Sequence, residues 1–447
     1  MNGPNPHVLQ ATAWYPPYHS GGTEVYLESL IAELDRKGVH STVLAPRRLG
    51  VPQTYGHGSA FVETYAFNEP PLPAEMREGR PHLGFGEFKE CLRANKGAIY
   101  HQHAWTRGCG PHHLRAAREM GFPTALTIHV AGNICLRGTM LKFGKALCNG
   151  VADQRVCGAC WAHGRGIPSA AANFVSNLPI EWARKARRSP SRVGTAVGAR
   201  ALGEEQEFRL REMIGNADRI ICVSQWLYEA LLANGAPRNK LVLSRQGIAR
   251  LEQEPHAGAR ERLKGPGPLR LLYLGRWDRI KGIEIAVRAV KALPEDIPVR
   301  LSIYALTASA WERDHEARVR SIAGKDPRIV FELPVSRSEI TRVAARHHVL
   351  IVPSVCMETG PLVVLEAQAA GLYVLGSRLG GIAELVTGSD AGMLVEPGDA
   401  GAWAKAIKEL WTEYSTHGLP RPSKPPRTME AAAADMIEVY RELAPVH

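Results

Sequence analysis

Arg276 and Lys281 are two cations, five residues apart, at the end of an apolar run that predicts a strand at 269–274. Arg276 follows that strand, and Lys281-Gly282 opens the helix that we predict next. A guanidinium supplies paired donors, an ammonium supplies a compact charge, and a helix N-terminus adds backbone N–H groups. This combination suits a diphosphate. The alternative is that both residues are ordinary surface cations.

Two glutamates, Glu358 and Glu366, are separated by seven residues in the same half of the chain. Glu358 falls in the loop after a strand predicted at 349–352, and Glu366 falls in the helix that follows. A carboxylate on such a helix can accept both hydroxyls of a ribose, and a loop carboxylate can face a sugar. The backbone N–H groups of Leu362 and Val363, at the helix start, can hold a phosphate. The alternative is one helix-dipole glutamate and one solvated glutamate.

Four cysteines form a second cluster of candidate ligands in the spacing C-x12-C-x8-C-x2-C: Cys135, Cys148, Cys157 and Cys160. Four thiolates suit tetrahedral zinc, here in a structural role that would order a glycine-rich stretch, and His163 is a substitute ligand. The alternatives are reduced thiols or two disulfide bonds. The chain has 8 cysteines, too few for a disulfide scaffold, and its start carries no secretory signal. We therefore expect reduced, cytosolic thiols.

Alternating strand and helix patterns must position these residues. The first half begins with a strand at 7–12, an amphipathic helix and a strand at 39–45, which is a βαβ unit of a parallel sheet. A second α/β series runs from 268 to 425, after a Pro- and Gly-rich linker at 250–268. The remaining segment, 426–447, is predicted to be mostly helical. Two α/β halves in tandem imply a cleft between them, and ligands of such sheets bind at the strand carboxyl ends.

Composition limits the possible partners without choosing among them. The 447 residues carry a formal net charge of +11, which favours nucleic acid, anionic lipid or phosphorylated ligands. No apolar run is long enough to span a membrane. Residues 183–200 hold six Lys or Arg and no acid beside Trp182, a pattern typical of anionic-surface contact or of a solvated basic loop. His101 and His103 face one side of a strand, as a metal pair or, more simply, as cleft or core residues.

The order of these motifs resembles that of the family 4 retaining glycosyltransferases of the GT-B fold. The motifs are Gly21-Gly22, Thr127-Ile128-His129, Gly275-Arg276, Lys281-Gly282, Glu358 with Glu366-Ala367, and Gly380-Gly381. The resemblance covers nearly the whole chain and is strongest from 269 to 400. The cysteine stretch, at about 131–166, is similar to an insertion seen in some members of the family.

The resemblance implies an α/β chain with two Rossmann-like domains that face a central cleft, at 1–250 and 268–425. It implies that the last helix crosses back to the first domain. It also implies that the second domain binds most of a nucleotide-sugar donor. The roles that it assigns are the diphosphate pair for Arg276 and Lys281, the ribose for Glu366, the transferred sugar for Glu358 and His129, and the phosphate and acceptor for Gly22.

The chemistry implied is transfer of a sugar, with retention of configuration and without a catalytic metal, to a glycan or lipid-linked acceptor hydroxyl. Cell-surface polysaccharide or glycolipid synthesis would place the enzyme in the cytoplasm, in peripheral contact with the inner face of an anionic membrane. This chain departs from the family at Val130 and Ala249, where aspartates are usual, and at Gln246, where asparagine is usual.

Two other functions remain open at this point. One is a nucleotide-sugar epimerase of the same architecture, which would release no nucleoside diphosphate. The other is a non-catalytic basic protein that binds nucleic acid or an anionic surface. We expect no nucleic acid partner, because the sequence lacks the basic stripe with interleaved aromatic residues that single-strand binders use.

Overall fold

The structure, a computed structural model, describes residues 6–18, 21–72, 80–189, 191–249, 267–307 and 309–444, with the backbone alone at Ser338. Nearly all of the predicted linker at 250–268 lies outside these residues. Contacts divide the chain into two compact units. Unit 1 comprises residues 1–246 together with 428–447, and unit 2 comprises residues 247–427.

Unit 1 is built on an eight-stranded sheet in the order β10-β9-β6-β5-β1-β2-β4-β3. Apart from β3, which pairs with β4 in antiparallel fashion, its strands run parallel. A separate antiparallel pair, β7 and β8, lies between β6 and β9 in the chain. The strands are β1 Val8–Ala11, β2 Ser41–Arg47, β3 Thr54–His57, β4 Ala60–Ala66, β5 Ile99–Gln102, β6 Thr124–Ile128, β7 Leu141–Lys142, β8 Ala146–Leu147, β9 Arg219–Cys222 and β10 Leu241–Leu243.

The helices of unit 1 connect these strands, and most of them lie between β6 and β9 or at the chain end. They are α1 Gly22–Arg36, α2 Phe85–Ala94, α3 Pro111–Glu119, α4 Gln154–Gly164, α5 Ser169–Ser176, α6 Ile180–Ala186, α7 Arg192–Val197, α8 Ala199–Asn216, α9 Gln225–Ala233 and α16 Met429–Leu443. The predicted amphipathic face of α1 is buried, and Gly38 takes a φ of 78° just past the helix end, as a C-terminal glycine should.

The last helix, α16, belongs to unit 1 although it follows unit 2 in the chain, so the predicted return of this helix is confirmed. Thr428 caps its N-terminus by accepting a hydrogen bond from the backbone N–H of Ala431. One face of this helix, which includes Met436 and Tyr440, is buried. The Tyr440 hydroxyl lies 2.7 Å from His101 Nδ1 on β5, which fixes the helix against the sheet.

Unit 2 holds a six-stranded, wholly parallel sheet in the order β13-β12-β11-β14-β15-β16. Its strands are β11 Leu269–Arg276, β12 Val299–Leu306, β13 Ile329–Glu332, β14 Val349–Val352, β15 Tyr373–Ser377 and β16 Gly392–Val395. Its helices are α10 Ile283–Ala292, α11 Ala310–Ala323, α12 Ile340–Ala344, α13 Leu362–Ala369, α14 Gly380–Leu385 and α15 Ala400–Thr416. Buried apolar residues line both faces of the sheet, so helices cover both faces.

Two parallel α/β sheets in tandem agree with the predicted fold class. The alternative of a solvated loop at 183–200 does not hold, because α6, α7 and the start of α8 occupy most of this stretch. Among the residues that the structure describes, no helix is long and apolar enough to traverse a bilayer.

Candidate functional site

Arg276 and Lys281 lie at the carboxyl end of β11 in unit 2. Arg276 is the last residue of β11, and Lys281 ends a single 3-10 turn before α10. Between that turn and the helix, Gly282 has a φ of 70°, and a Cβ added there would lie 1.8 Å from the Pro353 carbonyl oxygen. Only glycine permits this approach to the loop after β14. Because β11 and β14 are neighbours, the two predicted motifs meet at one edge of the sheet.

Lys281 and Glu358 form the closest ion pair at this edge. Lys281 Nζ lies 2.7 Å from Glu358 Oε1, and the same oxygen accepts a hydrogen bond of 2.8 Å from the Ser354 hydroxyl. Burial opposes the charge of Glu358, but Lys281 and Ser354 outweigh it, so the pKa of Glu358 is lowered. Burial likewise opposes the charge of Lys281, but Glu358 raises the lysine pKa. Both groups therefore stay charged at neutral pH.

Arg276 keeps its guanidinium accessible. About half of its side chain is exposed, and its ion pairs with Asp278 and Glu312 both measure 3.7 Å, which is longer than a hydrogen bond. Glu312 is buried in the first turn of α11. Sequence reasoning missed Asp278, Glu312 and Ser354. Of these three, Asp278 could have been found from the sequence, because it lies between the two cations and is a residue type that caps turns. Its carboxylate caps the turn that places Lys281.

Helix α13 presents its N-terminus after the Glu358 loop. Leu362 and Val363 are its first two residues, so their N–H groups have no partner within the helix. Pro361 stands at the N-cap and not inside the first turn as predicted. Glu366 lies farther along α13, and its pKa is raised by burial, which the positive charge of Arg337 only partly offsets. These positions fit a phosphate at the helix start and a hydroxyl-binding carboxylate behind it.

Gly380-Gly381 lies against the Glu358 loop in unit 2. The Gly381 N–H donates a 2.6 Å hydrogen bond to the Glu358 carbonyl. A Cβ at either glycine would lie 2.7–2.8 Å from backbone oxygens of Glu358 or Thr359. The glycine pair therefore permits a close approach between its own backbone and the loop segment that carries Glu358.

Two further predicted residues, Gly22 and His129, belong to unit 1. Gly22 is the first residue of α1, and nothing among the described residues lies within 4 Å of where its Cβ would be. His129 follows β6 and is only 7% exposed. Burial lowers its pKa to about 3, so the imidazole is neutral.

Hydrogen bonds assign the tautomer of His129. The Gln246 amide donates to Nδ1 at 3.3 Å, so Nε2 carries the proton and donates to His103 Nδ1 at 3.1 Å. His103 Nε2 then donates to Gln10 Oε1 at 2.8 Å. The departure from the family at Gln246 thus supplies a partner for His129. The neighbouring Val130 is half exposed and offers no charge where the family has aspartate.

His101 and His103 are core residues and not a metal pair. The rings are buried, and His101 contacts the Tyr440 hydroxyl and Thr127 Oγ1, both at 2.7 Å. Burial lowers the pKa of His101 to about 3 and that of His103 well below its usual value. Their ring nitrogens are committed to protein partners, which is the physical reason that a metal does not fit.

The four cysteines of the predicted zinc site are gathered but are not in coordination geometry. Cys160 Sγ accepts a 3.2 Å hydrogen bond from the Phe143 N–H, beside the β7–β8 hairpin. The pKa of Cys157 is raised to about 11, mainly by burial and to a smaller extent by the nearby thiols of Cys135, Cys148 and Cys160. The described part of the chain contains no set of three His, Cys, Asp or Glu side chains arranged to hold a metal ion. Zinc binding by the four cysteines stays a prediction.

Elemental analysis of the purified protein tests the zinc prediction. We expect about one zinc per chain, because the positive charge of the ion would offset the mutual repulsion of four thiolates that close around it. Cys157→Ser combined with Cys160→Ser should lose the metal, whereas Cys91→Ser, which alters a cysteine outside the cluster, should keep it. A metal-free protein whose four thiols all react freely would end the zinc hypothesis.

The basic stretch at 183–200 is more balanced than its sequence indicates. Arg184 donates two hydrogen bonds to Glu204, at 2.9 and 2.5 Å, and Arg187 pairs with Glu205. Both glutamates come from α8, outside the stretch, so a reading confined to 183–200 could not see them. These two ion pairs therefore reduce the excess of positive charge in the stretch.

Two family models match the chain. One, described as a glycosyl transferase 4-like domain, matches residues 21–246, about half of the chain. The other, described as glycosyl transferases group 1, matches residues 268–413. The fold and these matches thus assign the chain to the glycosyltransferases of the GT-B class. The chain belongs to the glycosyl transferase 4-like family, with a group 1 domain in its second half, and the resemblance noted in the sequence is confirmed.

Curated relatives match parts of the chain. A D-inositol 3-phosphate glycosyltransferase of Arthrobacter sp. (strain FB24) is 31% identical over 155 residues, which are 34% of this chain and 36% of that protein. WcaL of Escherichia coli (strain K12), named for colanic acid biosynthesis, is 26% identical over 223 residues, 48% of this chain and 52% of that protein. The matched segments span about half or less of these relatives.

Solved structures match nearly the whole chain in fold. Sucrose-phosphate synthase from Thermosynechococcus elongatus aligns with a TM-score of 0.63 and 21% identity over 98% of this chain and 99% of that one. Anabaena HepE in complex with UDP-glucose aligns with a TM-score of 0.58 and 14% identity over 98% of both chains. At these identities the likeness establishes the GT-B fold alone.

Proposed function

We propose that this chain transfers a sugar from a nucleoside-diphosphate donor to a hydroxyl of a glycan or lipid-linked acceptor. The observation that carries the proposal is the group at the carboxyl ends of β11 and β14. It comprises an accessible Arg276, the charged Lys281–Glu358 pair and the N-terminus of α13. Two cations and helix N–H groups favour a diphosphate, and the Glu358 carboxylate beside Lys281 favours a sugar that carries hydroxyl donors.

The proposed chemistry follows from where negative charge develops. When the anomeric C–O bond breaks, the diphosphate gains charge, and Arg276 with Lys281 stabilises it without having to reorganise. Glu358, kept ionised by Lys281, would lie against the transferred sugar and favour the positive charge that develops on its ring. The acceptor hydroxyl would attack from the face of the leaving group and pass its proton to the departing diphosphate oxygen, which would retain the anomeric configuration. In this scheme the two fixed cations take the place that a divalent metal has in many other sugar transferases.

The acceptor and location are also proposals. WcaL is named for the synthesis of a polysaccharide, which supports an acceptor in cell-surface polysaccharide or glycolipid synthesis. Trp182, Phe174 and Val193 are exposed in the same helical region as Lys185 and Arg188. Exposed aromatic and basic side chains suit the surface of an anionic membrane. We therefore propose a cytoplasmic enzyme in peripheral contact with the inner face of such a membrane.

Donor-dependent release of nucleoside diphosphate tests the proposed function. Thermal shift with a panel of nucleoside diphosphates and sugar nucleotides should first identify the base, since a tight ligand raises the melting temperature by mass action. The matching donor should then release its nucleoside diphosphate faster when an acceptor extract is added. Interconversion of the donor sugar without release would favour the epimerase. Binding only to nucleic acid, steeply weakened by salt, would favour the non-catalytic alternative.

Glu366→Ala should weaken nucleotide binding about tenfold or more, because a carboxylate that accepts two ribose hydroxyls forms charge-assisted hydrogen bonds. Burial raises the pKa of Glu366, so its acceptors are lost as the pH falls towards that raised value. Affinity of the wild type should therefore fall in acid more than affinity of the variant. Calorimetric titration at several pH values measures both effects. Glu409→Ala, on the exposed face of α15, is the control, and equal affinities for Glu366→Ala and wild type would contradict the ribose role.

A further inference from the structure

A pocket in unit 1 lies past the carboxyl ends of four neighbouring parallel strands. It has a volume of about 410 Å³, and we call it the arginine–aromatic pocket. The side chains that matter here are Trp14 after β1, Arg48 after β2, Phe67 and Glu69 after β4, and Thr106 and Arg107 after β5. These strands are adjacent in the order β5-β1-β2-β4. Ligands of parallel α/β sheets bind at this edge.

Each arginine of the pocket lies over an aromatic ring. The guanidinium carbon of Arg48 lies 4.9 Å from the centre of the Trp14 ring, and that of Arg107 lies 4.3 Å from the centre of the Phe67 ring. These cation–π contacts favour the observed positions of both guanidinium groups, which carry several N–H donors each. The arrangement is therefore prepared for a planar or tetrahedral anion.

The pocket retains positive charge and a buried donor. Glu69 accepts a 2.9 Å hydrogen bond from Arg48 Nη2, and it is the one acid among the described lining residues, against two arginines. Arg48 Nε is buried, and no described protein atom accepts a hydrogen bond from it. Buried donors in native proteins are nearly always satisfied by protein, water or ligand, so this N–H is available to an acceptor atom of a ligand.

A smaller cavity of about 190 Å³ continues the pocket. It shares Trp14 and Arg48 and adds Tyr15, Tyr18 and Tyr55. Aromatic walls suit the apolar faces of sugar rings, and phenolic hydroxyls suit sugar hydroxyls. The two cavities together give room for more than the anion alone.

We propose that the arginine–aromatic pocket binds the acceptor and that this acceptor is an anionic sugar, with a carboxylate or phosphate held by Arg48 and Arg107. The inference rests on the proposed glycosyltransferase function, because an acceptor site has meaning only in an enzyme that transfers a sugar. It adds the class of acceptor, which the family does not specify. Nor is it specified by the edge of unit 2 that carries Arg276, Lys281 and Glu358, which we call the diphosphate edge.

Calorimetric titration of the full chain with three sugars, without donor, tests the proposal. The probes are methyl glucuronide for the carboxylate, glucose 6-phosphate for the phosphate and methyl glucoside as the neutral match. We expect at least one anionic probe to bind about tenfold or more tightly than the glucoside, since charge-assisted hydrogen bonds to arginine are the strong ones. The probe that binds identifies the source of the negative charge.

Variants assign that binding to the pocket. Arg48→Gln and Arg107→Gln should each weaken the anionic probe about tenfold or more. Arg48→Lys keeps the positive charge but loses the paired N–H donors of the guanidinium. Its affinity for the anionic probe should therefore lie between those of the wild type and Arg48→Gln. This variant replaces Arg48→Gln in the test if the glutamine variant unfolds. Arg93→Gln, on α2, is the control. Unchanged affinity in the pocket variants, or no preference for anions in the wild type, would overturn the proposal.

Nucleoside diphosphate binding, measured on the same samples, separates this proposal from the proposed function. The pocket variants should bind the nucleotide as the wild type does, because unit 2 carries the diphosphate edge. A wild type that binds nucleotide but no anionic sugar overturns the acceptor proposal alone. A wild type that neither binds nucleotide nor releases it from any donor contradicts the transferase function itself.

Discussion

Replacement of Arg276 or Lys281 by alanine is expected to lower the rate of sugar transfer about 10²–10³-fold while the fold stays intact. Both side chains lie at the edge where β11 and β14 meet, and each would stabilise the charge that grows on the departing diphosphate. Because that charge is greatest in the transition state, kcat should fall more than KM rises. Steady-state kinetics with the donor identified by thermal shift measures the two effects separately.

Arg288→Ala is the matched control for this prediction. Arg288 lies on α10 in the same unit, about half exposed, and pairs with Glu284 one helical turn away. Such a surface pair contributes only about 0.3–0.5 kcal/mol, so the control should keep both fold and turnover. Wild-type turnover in the Arg276 and Lys281 variants would remove the diphosphate assignment.

A double-variant cycle on Lys281 and Glu358 is expected to separate their structural and functional roles. Lys281→Met leaves the buried Glu358 carboxylate without its counter-charge and should cost about 1–3 kcal/mol of unfolding free energy. Adding Glu358→Gln removes that charge, so the double variant should recover most of the lost stability. The rate of sugar transfer should be at least about 10²-fold below that of the wild type in both single variants and in the double variant, because the two charges act directly on the donor.

The pH dependence of the same variants has a definite sign. In the wild type the lowered pKa of Glu358 stabilises the fold above the usual glutamate pKa, and this contribution is lost as the pH falls through the lowered value. In Lys281→Met, Glu358 keeps the Ser354 hydrogen bond but loses its main counter-charge, so burial raises its pKa above the wild-type value. The stability deficit should therefore be full at neutral pH and shrink in acid. Urea unfolding at neutral and at acidic pH measures this stability deficit. A double variant with normal turnover would show that the Lys281–Glu358 pair is only structural.

The diphosphate edge was predictable because its residues come directly after apolar runs that become adjacent strands. Arg276 ends β11 and Glu358 lies in the loop after β14, and neighbouring parallel strands bring their carboxyl ends to one edge of the sheet. Glu312 was not predictable in the same way. It reaches Arg276 from α11, a helix with no recognisable motif, and its role depends on burial in the folded unit.

The network around His129 shows a different limit of sequence reasoning. The position of His129 at the end of a strand was predictable, but its partner Gln246 is 117 residues away in the chain. Likewise, Tyr440 is 339 residues from its partner His101. Only the folded sheet brings such partners together. Short helices such as α6 and α7 were missed because Gly, Pro and charged residues hide their periodicity.

The central claim is that two fixed cations at the opening of unit 2 neutralise the departing diphosphate. A crystal structure of the full chain with bound nucleoside diphosphate tests it most directly. We predict phosphate oxygens within hydrogen-bond distance of Arg276 and Lys281, with the ribose at Glu366. A diphosphate bound away from both cations would contradict the claim.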